Sequence, residues 1–176
     1  MTRRTGFGRL LTAAGAVTAL TVSLALTSTG SASAASDFLG NLRSNATNQC
    51  LANDGGGSGN GTLAIQWSCN GNNDQLWTFE NTGGGAYEIV NNWGKCLEAP
   101  GWTTTAGAQL GQWDCLGNAN QVWYIDNYMT ADAWKMRFRN KNSNLCVSVQ
   151  GGSSANRTPI IQWYCNDADD QRWHTA

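Results

Sequence analysis

The chain has 176 residues, 41% of them hydrophobic and 13% charged, and a formal net charge of −1. With 11 Lys and Arg against 12 Asp and Glu it lacks the basic excess that a phosphate backbone attracts, which excludes nucleic acid as a partner on charge. Its one histidine, His174, leaves no Ser-His-Asp or Cys-His arrangement, and its acids lie at repeat or turn positions rather than as an evident catalytic pair, so no enzyme is expected.

The first element is a leader. Arg3, Arg4 and Arg9 precede an uncharged apolar stretch from Leu10 to Leu26, and SASAAS follows with an A-x-A-like site. This is the pattern of a secretory signal peptide over residues 1–34, cleaved near Ala34/Ala35, so the protein is expected to be secreted and extracellular, with no stable membrane anchor after cleavage. A retained anchor is the alternative, but Thr, Ser and Gly dilute the second half of the segment. The Arg pair could suggest twin-arginine export, but RRTGFG lacks the usual aromatic spacing, and no cysteine near the cleavage site offers a lipid attachment. A mature chain of about 140 residues remains, one domain over 36–176, with eight basic and twelve acidic residues.

After the leader, alternating runs such as TLAIQW, AYEIV and WKMRF are bounded by GGGSGNG, NTGGGA and VQGGSS, which predicts short β-strands joined by Gly- and Asn-rich turns and no amphipathic helix. In WKMRFRNK the basic Lys135, Arg137, Arg139 and Lys141 alternate with Met136 and Phe138. That period of two reads as one buried and one solvated face, with the charges guarding a sheet edge rather than forming an anion-binding stripe.

The chain also repeats itself. QWSCNGNNDQLW at 66–77 returns as QWDCLGNANQVW at 112–123 and QWYCNDADDQRW at 162–173. Cys50 and Cys69, Cys96 and Cys115, and Cys146 and Cys165 are each 19 positions apart. Six cysteines allow fifteen pairings, and the simplest is one local disulfide per repeat, each loop contributing about 3 kcal/mol. No C-x-x-C or Cys/His cluster suggests a metal, and no cofactor is expected. Trp67, Trp113 and Trp163 lie 17 positions after the first cysteine of each pair, and Trp77, Trp123 and Trp173 lie 27 after it. The shift between repeats is 46 and then 50 residues, the extra four falling between Trp123 and Cys146. Three such units, at about 37–83, 84–130 and 131–176, suit a closed threefold all-β barrel.

These residues resemble the ricin B-type lectin, or Q-x-W, β-trefoil. The motifs that carry the likeness are Gln75-Leu76-Trp77, Gln121-Val122-Trp123 and Gln171-Arg172-Trp173, each preceded by W-x-C and by an opening cysteine. The resemblance covers the whole mature chain and implies a β-trefoil in which each repeat can carry one shallow sugar site for galactose-, xylose- or arabinose-type units, in a monomer. A carboxylate accepts hydrogen bonds from sugar hydroxyls, an amide donates and accepts, and an indole covers the apolar face of the ring.

In such lectins the carboxylate is an Asp two residues after the first cysteine, where this chain has Ala52, Glu98 and Ser148. The amide precedes the Q-x-W glutamine, where it has Asp74, Asn120 and Asp170. The middle repeat alone keeps acid and amide in order, and its expected set is Glu98, Trp113, Asn120 and Gln121, with Trp102 as a second wall. In the outer repeats the corresponding sets are Trp67, Asp74 and Gln75, and Trp163, Asp170 and Gln171. Each repeat thus holds one carboxylate, and a swap in which Asp74 and Asp170 accept hydroxyls from the opposite rim stands against a simple turn role. Trp67, Trp113 and Trp163 suit either packing or stacking, whereas Trp77, Trp123 and Trp173 are expected in the core beside buried, hydrogen-bonded glutamines. The leading expectation is a carbohydrate-binding module; a β-trefoil acting by protein contact, such as a hydrolase inhibitor or cell-surface factor, is the alternative. Sequons at Asn45, Asn60 and Asn156 matter only in a eukaryotic secretory route.

Overall fold

The computed structural model describes residues 39–130 and 133–176. The expected leader and its cleavage site lie outside the described residues. The first repeat supplies β1 (Leu39–Gly40), β2 (Leu42–Ser44), β3 (Cys50–Asn53), β4 (Ala64–Trp67) and β5 (Trp77–Gly83). The second supplies β6 (Ala86–Asn91), β7 (Lys95–Glu98), β8 (Gly111–Asp114) and β9 (Val122–Thr130), and the third β10 (Ala133–Asn140), β11 (Cys146–Val149), β12 (Ile160–Trp163) and β13 (Trp173–Thr175). Six short 3₁₀ turns join them, and no α-helix occurs among the described residues.

Strand order β1-β5-β6-β9-β10-β13-β2 returns to its start, because only Asn41 separates β1 from β2. The sheet therefore closes into a barrel, which removes free edges. Three hairpins, β3-β4, β7-β8 and β11-β12, cap one end, and bridges at Leu63↔Gly111, Ile65↔Pro159 and Gln109↔Ile161 tie them to one another. This is a β-trefoil.

The core forms where the repeat places its largest rings. Trp77, Trp123 and Trp173 are fully buried, and their indole N–H groups donate to the carbonyls of Leu51, Leu97 and Val147 at 3.0, 3.0 and 3.3 Å. Phe138 packs between Phe79 and Trp173, with ring centroids 5.5 and 6.4 Å away. The disulfides join Cys50 to Cys69, Cys96 to Cys115 and Cys146 to Cys165, one within each repeat.

The basic strand needs a correction. Met136 and Phe138 are buried and Arg137 and Arg139 half-buried, as alternation predicts, but β10 is no edge: it pairs with β9 on one side and with β11 and β13 on the other. Its charges are held by acids on neighbouring elements instead. Arg137 Nη2 and Arg139 Nε lie 3.2 and 3.4 Å from Asp126 Oδ2, Arg139 also stacks 4.9 Å from the Tyr124 ring centre, and Lys135 Nζ is 3.9 Å from Asp169.

Candidate functional site

The threefold repeat creates three pockets at equivalent places, each between the turn after a hairpin's first strand and the turn that carries the Q-x-W glutamine. The first, about 270 Å³, is lined by Gly55, Gly56, Trp67, Asn70, Asn72 and Asp74 among others. The second, about 210 Å³, is lined by Glu98, Trp102, Trp113, Leu116, Asn120 and Gln121 among others. The third, about 510 Å³, is lined by Gly107, Ser148, Gly152, Trp163, Asn166 and Asp170 among others.

The open question over the two sets of tryptophans has a geometric answer. Trp113 and Trp163 are each 42% exposed and Trp67 is half-buried, while the Q-x-W tryptophans have no exposure at all. The first set forms pocket walls and the second the core. Trp102 joins Trp113 in the middle pocket, as expected for a second wall, and is 51% exposed. It does so on a left-handed backbone, φ 58°, where the other repeats have Gly56 and Gly152. A bulky ring there is strained, and such strain concentrates at functional sites.

The three glutamines are buried and do one job. The side-chain oxygens of Gln75, Gln121 and Gln171 accept from the backbone N–H of Asn70, Leu116 and Asn166 at 2.9, 2.8 and 2.9 Å. Their amide nitrogens donate to the carbonyls of Ser68, Asp114 and Tyr164 at 3.1, 2.8 and 2.8 Å. Each thereby fixes the turn below its pocket wall.

The polar floors differ as well. In the second pocket Glu98 Oε2 accepts from Asn120 Nδ2 at 3.3 Å and Gln121 Nε2 at 3.1 Å, so the acid and amide read from the sequence do meet. Burial raises the Glu98 carboxyl above the ordinary glutamate value, and these two hydrogen bonds oppose that rise. In the third pocket the partners are exchanged: Ser148 Oγ donates to Asp170 Oδ2 at 2.5 Å. In the first pocket Ala52 offers nothing, and Asp74 stands on the far rim with its carboxyl raised by burial.

A further triplet escaped the sequence reading. Gln66, Gln112 and Gln162, each just before a wall tryptophan, are fully buried and reach across to the adjacent repeat. Their amide nitrogens donate to Ser153 and Ala155, to Gly57 and Gly59, and to Thr103 and Thr105. The pinned loops bring Gly61 and Gly107 against the rings of Trp113 and Trp163; a Cβ on Gly107 would lie 3.3 Å from Trp163. The walls of the second and third pockets are thus completed from a neighbouring repeat, a fact whose only sequence signal was the thrice-repeated Gln-Trp pair.

Residues 38–173 match the family model described as the ricin-type beta-trefoil lectin domain. Among solved structures, a designed 3-fold symmetric protein, ThreeFoil, is 24% identical with TM-score 0.73, covering 77% of this chain and 96% of its own. An exo-beta-1,3-galactanase from Clostridium thermocellum is 23% identical with TM-score 0.74, covering 80% of this chain and 30% of its own. The hemolytic lectin CEL-III is 29% identical with TM-score 0.64, covering 79% of this chain and 30% of its own. The chain therefore spans less than a third of these last two proteins. No curated protein matches it.

Proposed function

The chain belongs to the ricin-type β-trefoil lectin family, a family of carbohydrate-binding domains, and from that premise we propose that it is a secreted carbohydrate-binding protein taking galactose-, xylose- or arabinose-type units of glycans or polysaccharides. One observation carries the reading: three equivalent surface pockets each combine an indole wall with a single carboxylate. The indole covers the C–H face of a pyranose ring while the carboxylate and neighbouring amides take its hydroxyls.

In the middle pocket Glu98 keeps Oε1 for a hydroxyl while Oε2 is held by Asn120 and Gln121, and Trp102 and Trp113 flank the ring. In the third pocket Asp170 accepts and Ser148 supports it, which is the exchanged arrangement the sequence suggested; Asp74 acts alone in the first. Export places the domain where its three disulfides persist, after removal of residues 1–34. The mass of the exported protein checks that step.

A glycan array with a polysaccharide pull-down tests the function. Retention of glycans, lost site by site in Glu98→Gln, Asp74→Asn and Asp170→Asn, is the expected result. Unchanged binding in both aspartate variants would remove the exchanged arrangement, and retention of a protein partner with no glycan would favour action by protein contact.

A further inference from the structure

The three pockets are not equal at their mouths. The residue after the wall tryptophan is Ser68 in the first repeat, Asp114 in the second and Tyr164 in the third. The first two are used across repeat junctions. Ser68 donates from both N and Oγ to Asn156 Oδ1, at 2.9 and 3.1 Å, and Asp114 Oδ2 accepts from Asn60 Nδ2 at 2.8 Å. At the third junction the position matching Asn60 and Asn156 is Ala106, so no such polar pair can form with Tyr164.

Tyr164 instead presents its ring to solvent. It is 67% exposed, and its centroid lies 5.8 Å from that of Trp163 with the planes inclined by 72°. Its backbone is not free, since Gln171 Nε2 donates to its carbonyl at 2.8 Å. Two exposed rings meet edge to face on a backbone that a buried amide holds, and together they make an aromatic corner. Trp163 lines the most spacious of the three pockets, about 510 Å³ against 270 and 210 Å³, and Tyr164, outside that lining, extends the aromatic surface from it through the ring contact. The third alone falls in the usual range of ligand cavities, about 300–1,000 Å³.

We propose that the third pocket is an extended subsite for an oligosaccharide chain: Trp163 and Asp170 hold one sugar unit, and Tyr164 holds the next. The inference rests on the carbohydrate-binding reading above. The phenol ring is apolar on its face and polar at its tip, so it suits a second ring whose hydroxyls remain in water. The first and second pockets, with Ser68 and Asp114 there, lack this second contact and are limited to a single unit on that side.

The test uses the whole protein and follows the Trp163 indole N–H signal, a reporter confined to this pocket, during titration with D-xylose and xylotetraose and, in parallel, with D-galactose and a galactotetraose. For the sugar that binds, the tetrasaccharide is expected to bind more tightly than the monosaccharide. Tyr164→Ser should cut tetrasaccharide affinity about three- to tenfold and leave the monosaccharide unchanged, whereas Tyr164→Phe should retain the advantage. The residue is exposed, so melting temperatures should not differ. A preserved chain-length advantage in Tyr164→Ser, or equal losses for both ligands, would overturn the second contact while leaving the sugar site intact. Silence of the Trp163 signal toward all four sugars, in the unaltered protein, would instead count against the carbohydrate reading of this pocket and so against the proposal.

Discussion

Asn53 is 1% exposed, and neither polar atom of its side-chain amide has a hydrogen-bond partner among the described residues. The same position holds Ala99 and Val149 in the other repeats, both part of the core. An unmet buried amide costs about 1–3 kcal/mol, so Asn53→Ala should raise stability by about 1–2 kcal/mol in thermal unfolding. Trp102 poses the opposite case, an exposed ring kept on a left-handed backbone. Replacing it with the glycine of the outer repeats should stabilise the protein by about 1 kcal/mol and weaken sugar binding in the middle pocket, which calorimetry on the variant would show. Glu98 sets a pH window. Its raised carboxyl means the ionised form is disfavoured in the fold, so its contribution to stability improves as pH falls through that raised value. Hydroxyl acceptance needs the ionised form, so middle-pocket binding should decline in the same window, beginning above the ordinary glutamate value of 4.5 and by up to about tenfold per pH unit. In Glu98→Gln, whose middle-pocket binding is already lost at neutral pH, the remaining binding should lack this component of the pH response.

At the scale of strands and turns, the pocket walls depend on amides that cross between repeats. Gln112 accepts from Asn91 Nδ2 and donates to the carbonyls of Gly57 and Gly59, holding the first repeat's loop against Trp113. Gln112→Ala leaves the buried Asn91 amide without its partner and frees the carbonyls of half-buried Gly57 and exposed Gly59, and denaturant titration should show a loss of about 1–3 kcal/mol, with the middle pocket more affected than the third. The repeat made the strands, the disulfide pairs and the two sets of tryptophans legible, because each recurs at a constant offset. Alternation in WKMRFRNK showed a buried and a solvated face but not whether the strand's hydrogen-bonding edges were taken, so a central strand read as an edge. Likewise a tryptophan repeated three times satisfies packing and stacking equally, and only its exposure separates Trp113 from Trp123. The contribution of Gly107 to the third pocket belongs to tertiary contact between repeats, which no single repeat encodes.

At the largest scale, the described residues form a closed barrel that carries three pockets on one frame. Such an arrangement raises affinity for a polymer without any new contact, provided the chain can reach more than one pocket. The common fold supplies the walls, and the exchanged polar floors make the three sites chemically distinct. The central claim, that the exposed indoles receive sugar while the buried ones hold the core, is tested most directly by recording the indole N–H signals of the six repeat tryptophans during titration with a glycan the protein retains. The account predicts shifts at one or more of Trp67, Trp113 and Trp163 and none at Trp77, Trp123 and Trp173. Shifts confined to the buried set, or a retained glycan that moves none of the exposed three, would contradict it.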